Sequence, residues 1–237
     1  IEESEIAKIG RHLPQGIQQK GKEIRTFMPR FGCINERRNQ LHEVIRLSGM
    51  NLIIDDNDHP LIIKVASIQA ARMQVYFIDN EEYFQRKFGL KDKAGNFFND
   101  NDERAIFYCR GVLETVKKLG WAPDIIHCHG WMNAFVPLYI KKVFNEDPIF
   151  AKSKVIFSIY NTGFEKELDK NFGNKAILDG VDLEDVAELS KPSATEVYKY
   201  AAKWSDGVII GSNEINSELD REIRKMGKPI LEFQNEE

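Results

Sequence analysis

Cysteine is scarce in this chain: Cys33, Cys109 and Cys128 are the only three in 237 residues, and none shares a CxxC spacing. An odd, scattered set builds neither a disulfide framework nor a structural zinc site, so a reducing cytoplasm is the expected setting. No charge sign is in large excess: 33 Lys and Arg against 37 Asp and Glu leave a net charge of −4. Without a basic stripe there is no footprint for nucleic acid. Apolar runs long enough to cross a bilayer are missing, and no signal-peptide pattern opens the chain, so no membrane partner is expected. Repeats, low-complexity stretches and clear linkers are also missing, and residues 1–237 are expected to form one domain.

What is present is an ordinary globular composition, 42% hydrophobic and 30% charged. Its most informative stretch is Trp121-Ala122-Pro123-Asp124-Ile125-Ile126-His127-Cys128-His129-Gly130-Trp131, followed by Val136, Tyr139, Ile140 and Val143 at helical spacing. A short apolar run bounded by Pro and Gly, then a helical pattern, reads as strand, tight turn and helix. That unit builds parallel α/β sheets, whose ligands bind beyond the carboxyl ends of the strands. Here that end carries two imidazoles and an indole.

The remaining pattern agrees with an α/β class. Ser4 to Gln19 reads as a helix with Ile6, Ile9, Leu13 and Ile17 on one face, and Glu23 to Met28 as a strand. An α/β domain ordinarily opens with a strand before such a helix, so a first strand is expected to be missing. Asn51 to Asp55, Leu61 to Ile68 and Met73 to Asp79 read as strands with short polar spacers, Asp56 to Pro60 and Gln69 to Arg72. Such spacers favour an antiparallel hairpin extension over crossovers. Asp55, Asp56 and Asp58 read as turn formers rather than a cation site. Glu81 to Asn101 reads as a long loop, Asp102 to Leu119 as an amphipathic helix, and Lys154 to Tyr160 as a buried strand. Ser193 to Glu196 matches a capping box opening a helix to Trp204. Strand Gly207 to Ile210, a helix over Asn213 to Lys225 and a last strand over Pro229 to Phe233 follow. Asp124 to His129 is expected to be an inner strand of a mostly parallel sheet.

Side chains two apart on a strand share a face, so His127 and His129 could chelate a metal together. No third ligand is identified by spacing, and hydrogen bonding to a substrate or the backbone is the preferred reading. Cys128 points to the other face and is expected in the core, not as a nucleophile. Trp131 suits either packing or a flat apolar platform for a sugar ring or base. Asp100 or Asn101 suits an N-cap.

Several segments resemble bacterial glycogen and starch synthases. Leu13 to Phe31 is similar to "LPKALAARGHEVRVLLPRY", Tyr76 to Phe84 to "YLIDNPEYF", and Asn99 to Arg104 to "YPDNAERF". Pro123 to Trp131 is similar to "PDIVHAHDW", Lys154 to Asn161 to the strand ending "TIHN", and Ser205 to Ile215 to "ADKVTTVSPTYAEEI". The order holds along nearly the whole chain, and the match covers the N-terminal half of such an enzyme. The resemblance implies the Rossmann-like N-terminal half of a glycosyltransferase-B fold. It implies retaining glucosyl transfer from ADP-glucose to an α-1,4-glucan in glycogen biosynthesis, with no metal and no cofactor. His129 and Asp100 would be the catalytic-pocket residues, with His127, Trp131, Tyr160 and Asn161 binding substrate. Neutral hydrogen-bonding groups and an aromatic face suit a sugar, and an oxocarbenium-like transition state benefits from a nearby carboxylate.

Three departures bear on activity. Where the family has Lys-Thr-Gly-Gly-Leu at the donor phosphates, this chain has Glu2, Glu3, Ser4, Glu5 and Ile6, which opposes a pyrophosphate. The Asp of "HDW" is Gly130, and the His of "TIHN" is Tyr160. The C-terminal nucleotide-binding half has no counterpart here. Two classes stay open: the acceptor-side half of an α-1,4-glucan synthase, or a non-catalytic glucan-binding or regulatory module. The expected partner is an α-glucan or maltooligosaccharide, with ADP-glucose only if a donor-binding domain is supplied. The isolated chain is expected to be inactive.

Overall fold

Ser4 opens the first helix, its hydroxyl accepting from the amide of Ala7 at 3.2 Å. Helix α1, Glu5–Gln19, follows, as the one-face apolar spacing predicts. The computed structural model describes residues 4–71 and 73–235, so Glu2 and Glu3 lie outside the described residues. The chain divides into two compact units, Ile1–Phe98 and Asn99–Glu237.

In the first unit, α1 leads to strands β1 (Thr26–Pro29), β2 (His42–Glu43), β3 (Asn51–Ile54), β4 (Asn57–Pro60), β5 (Ile62–Ile68) and β6 (Met73–Asp79). A mixed sheet runs β1-β6-β5-β2. β1 is parallel to β6, while β5 is antiparallel to both β6 and β2. The β5–β6 pairing runs from Ile62 opposite Asp79 to Ile68 opposite Met73, which is the hairpin that the short spacer implies. Its end is pinned by charge: Lys64 Nζ lies 2.8 Å from the fully buried Asp79 and 2.6 Å from Glu36, which also meets Arg30.

Two expectations change here. The spacer Asp56 to Pro60 is not a plain turn, because Asn57–Pro60 is itself a strand paired with β3. The turn is Asp55-Asp56, both at positive φ (49° and 61°), the two-residue geometry whose twist matches a hairpin. β4 then buries His59, which bonds the Tyr83 hydroxyl at 2.9 Å. The stretch after β6 is also less irregular than expected. The Asn80 side chain accepts from the amides of Glu82 and Tyr83 and caps helix α2, Glu81–Phe84.

The second unit holds helix α3 (Asn101–Leu119), β7 (Ile125–His129), α4 (Val136–Lys142), β8 (Lys154–Ile159), α5 (Phe172–Lys175) and α6 (Leu183–Val186). Helix α7 (Ala194–Trp204), β9 (Gly207–Ile210), α8 (Ser217–Lys225) and β10 (Ile230–Leu231) complete it. All four strands are parallel, in the order β10-β9-β8-β7. The architecture is α/β, with this parallel sheet and a separate mixed sheet. β7 closes one side of its sheet instead of lying inside it, contrary to expectation. One face of β7 and β8 supplies the core residues Cys128, Phe157 and Ile159, and Phe157 meets Tyr198 of α7 edge-on with ring centres 6.2 Å apart. Ser193 accepts from the amide of Glu196, but the Glu196 carboxylate is engaged by Lys199 at 2.9 Å, so Ser193 performs the capping. Among the described residues, no helix is long and apolar enough to cross a membrane.

Candidate functional site

Parallel pairing sets His129 opposite Ser158 and His127 opposite Ile156. Paired positions in a parallel ladder point to the same face, so His127, His129, Ser158 and, one step past the strand, Tyr160 emerge together. The contacts follow this register. His127 Nε2 lies 2.7 Å from Ser158 Oγ, and His129 Nδ1 lies 2.7 Å from the Tyr160 hydroxyl. The two imidazoles are 4.0 Å apart between ring centres, tilted by 35°. Two of the expected residues, His129 and Tyr160, are therefore joined directly, and His127 sits against the His129 ring.

The backbone around this cluster is held at both strand ends. Asn133 Nδ2 donates to the carbonyl of His129 at 2.7 Å, and the Asn161 amide donates to Ser212 Oγ at 2.7 Å. Between them Gly130, at φ 81° and ψ 168°, makes the turn. That region is open essentially to glycine alone. The turn continues as a single 3-10 stretch, Trp131–Asn133, before α4 begins.

Burial decides the charge state. It pushes the His127 imidazole down to about 4, and burial together with the neighbouring His127 pushes His129 down to about 3. Both rings are therefore neutral near pH 7, each with one N–H and one lone pair. On the opposite face burial raises the Cys128 thiol well above its ordinary value and Cys109 to about 12. Neither thiol ionises near neutrality, which removes the Cys–His nucleophile reading. No group of three or more His, Cys, Asp or Glu side chains suited to a metal ion is assembled among the described residues.

Trp131 is only 5% exposed and packs edge-on against Phe164, with ring centres 4.9 Å apart. Its packing role is thus visible in the structure. Asn161 is exposed beside the cluster, and Tyr160 is buried. Asp100 is half-buried at the N-cap position of α3, where its side chain makes no capping bond. The loop after β8 spans this region: it carries Phe164 to Trp131, and Lys166, whose Nζ donates to Asn99 at 3.4 Å. The next turn of α3 is ionic: Lys175 Nζ lies 2.9 Å from the fully buried Asp102 and 2.8 Å from Glu103. Sequence reasoning passed over Ser158, Asn133, Phe164 and Lys175. Only Ser158 carried a signal, the two-residue step to Tyr160 on a strand. A separate cavity of about 320 Å³, lined by Arg110, Glu114, Lys117, Phe144 and Asp147 among others, contains none of the expected residues.

Comparison with known proteins addresses the ancestry of this arrangement. A family model described as the starch synthase catalytic domain matches residues 1–229. The glycogen synthase of Chlorobium luteolum is 38% identical over 162 residues, covering 68% of this chain and 33% of that protein. The glycogen synthase of Chlorobaculum tepidum is 36% identical over 191 residues, covering 76% of this chain and 38% of that one. The chain thus spans about a third of the length of the curated relatives it matches. In fold it is similar to the catalytic domain of Starch Synthase IV from Arabidopsis thaliana, solved bound to ADP and acarbose. The TM-score is 0.76 at 18% identity, over 99% of this chain and 48% of that one. With the parallel β7–β8 unit, the histidine-bearing strand end and a match along nearly its full length, this glycogen and starch synthase-like chain belongs to the starch synthase catalytic domain family.

Proposed function

We propose that this chain supplies the acceptor-side wall of an α-1,4-glucan synthase. The observation that carries the reading is the neutral polar cluster His127, His129 and Tyr160, with Asn161 beside it, at the carboxyl ends of β7 and β8. Ligands of open α/β sheets bind at such ends. Uncharged N–H and O–H groups suit the hydroxyls and ring oxygens of a glucan better than a phosphate, which calls for cations. In this reading His129 hydrogen-bonds the transferred glucosyl unit, and Asp100 contributes carboxylate charge to the same pocket. Trp131 and Phe164 form the packed backing of the wall, His127 stands behind His129, and Tyr160 and Asn161 complete the rim. ADP-glucose is the donor only when a donor-binding half is present.

A second reading, a glucan-binding or regulatory module without transfer, is favoured by the residues at the positions where the family differs. Gly130 and Tyr160 stand where the family resemblance has Asp and His, and Ser4 and Glu5 begin α1 where it has glycines. Glu5 in the first turn complements the helix dipole but repels a phosphate.

Radiolabelled ADP-glucose transfer to glycogen separates the readings. The isolated chain is expected to transfer none, because positioning of donor and acceptor by two walls supplies roughly 7–11 kcal/mol of barrier lowering. Addition of a donor-binding half from a relative restores transfer if the acceptor-wall reading holds. Glucan binding without transfer, even in that complemented assay, would favour the module.

A further inference from the structure

Tyr160 stands 2.7 Å from His129 Nδ1 and is 4% exposed. We propose that Tyr160 is a positioning residue: its hydroxyl donates to Nδ1 of His129 and locks that imidazole as the Nε2–H tautomer. The site then presents a ligand with one neutral, fixed N–H donor.

Two arrangements satisfy the distance. Either the phenol donates to an imidazole lone pair, or imidazole N–H donates to the phenol oxygen. The first matches the better donor to the better acceptor. A phenol, with its pKa near about 10, is a far stronger acid than a neutral imidazole N–H, and an imidazole nitrogen, protonated near about 6.5, is far more basic than a phenol oxygen. Low local dielectric enlarges that difference. A neutral ring has only one lone pair, so accepting at Nδ1 places the proton on Nε2. Nε2 has no hydrogen-bond partner among the described residues, and His129 is half-buried rather than sealed.

The geometry leaves Tyr160 little freedom to turn away. Gly211 lies against its ring so closely that a Cβ there would meet Cε1 at 2.6 Å. The backbone of both partners is tied, His129 through Asn133 and the residue after Tyr160 through Ser212. Protonation of His129, which would require Nδ1 to become a donor, is opposed by burial and by the ring of His127 4.0 Å away. A fixed neutral N–H selects an oxygen acceptor such as a sugar hydroxyl or ether oxygen over an anion. The inference rests on the glucan reading for the identity of that oxygen alone; the tautomer exists without ligand.

Long-range proton–nitrogen spectra of the 15N-labelled full chain test it, with His129→Gln assigning the signals. The expected result is a protonated Nε2 and a bare Nδ1 on His129 in the unmodified protein, and a tautomer mixture in Tyr160→Phe. A protonated Nδ1 in the unmodified protein overturns the proposal whether or not the variant folds. A single unchanged tautomer in folded Tyr160→Phe overturns it too. An even mixture weakens a ligand that needs Nε2–H about twofold, which maltoheptaose titration reads. An Nε2–H ring in a protein that binds no maltoheptaose supports the tautomer lock and counts against the glucan reading alone.

Discussion

Gly211 and Tyr160 are in such close contact that position 211 accepts no side chain: an added Cβ would lie 2.6 Å from Tyr160 Cε1 and 2.9 Å from the carbonyl of Ile159. One of those neighbours is backbone and the other is a buried ring, so neither yields easily. Gly211→Ala is expected to lower stability by about 2 kcal/mol, as overpacking of a filled core does. The check is a lower urea midpoint at unchanged m value. A neutral result would mean that the ring of Tyr160 moves aside freely.

Gly130 turns the chain out of β7 at φ 81° and ψ 168°. A side chain in that region costs about 1–3 kcal/mol. Gly130→Asp, which restores the residue of the family motif, and Gly130→Ala are therefore expected to lose similar stability. Equal losses in thermal unfolding place the cause in the backbone. Stability unchanged by Asp would show that the turn adapts.

The histidine pair makes stability pH-dependent. Burial holds the folded imidazoles at about 4 for His127 and about 3 for His129, below the value of an unfolded chain. Between those values and about 6.5 the unfolded chain binds protons that the folded one does not, so stability falls as pH is lowered through that window. By pH 5 the loss is about 2 kcal/mol for each histidine. Replacing His127 with Gln is expected to flatten the slope between pH 6.5 and 4. An unchanged slope would place its titration elsewhere.

Lys175 compensates the carboxylate of Asp102, which is fully buried. Burial already raises the Asp102 carboxyl above its ordinary value, with Lys175 acting in the opposite direction. Lys175→Met leaves that charge uncompensated and is expected to cost about 3 kcal/mol at pH 7. The deficit should shrink as pH falls and Asp102 takes up a proton. Denaturation at several pH values reads both effects, and a deficit independent of pH would contradict this assignment.

Residue pattern alone revealed the elements whose burial is periodic. β7 and the β5–β6 hairpin show as apolar, β-branched runs between turn formers, and α3 shows its helical stripe. β4 does not show, because Asn57, Asp58 and Pro60 have poor strand propensity. It pairs because Asp55-Asp56 turn correctly and His59 finds Tyr83. The histidines were legible at the strand end. Tyr160 was legible beside them through the family resemblance, but its bond to His129 and that of Ser158 to His127 were not, since these pairs meet only through the register of two parallel strands separated by α4. The position of β7 at the side of its sheet was equally hidden, because strand order is a long-range property. Trp131 carried no sign of Phe164, which lies on a different loop.

The central claim is that the strand-end cluster binds a neutral glucan. Calorimetric titration of the chain with maltoheptaose, in parallel with His129→Ala, tests it most directly. The account predicts saturable binding by the unmodified chain and at least about tenfold weaker binding by the variant, the loss of one well-placed hydrogen bond. No heat of binding in the unmodified chain, or equal affinity in His129→Ala, would contradict it.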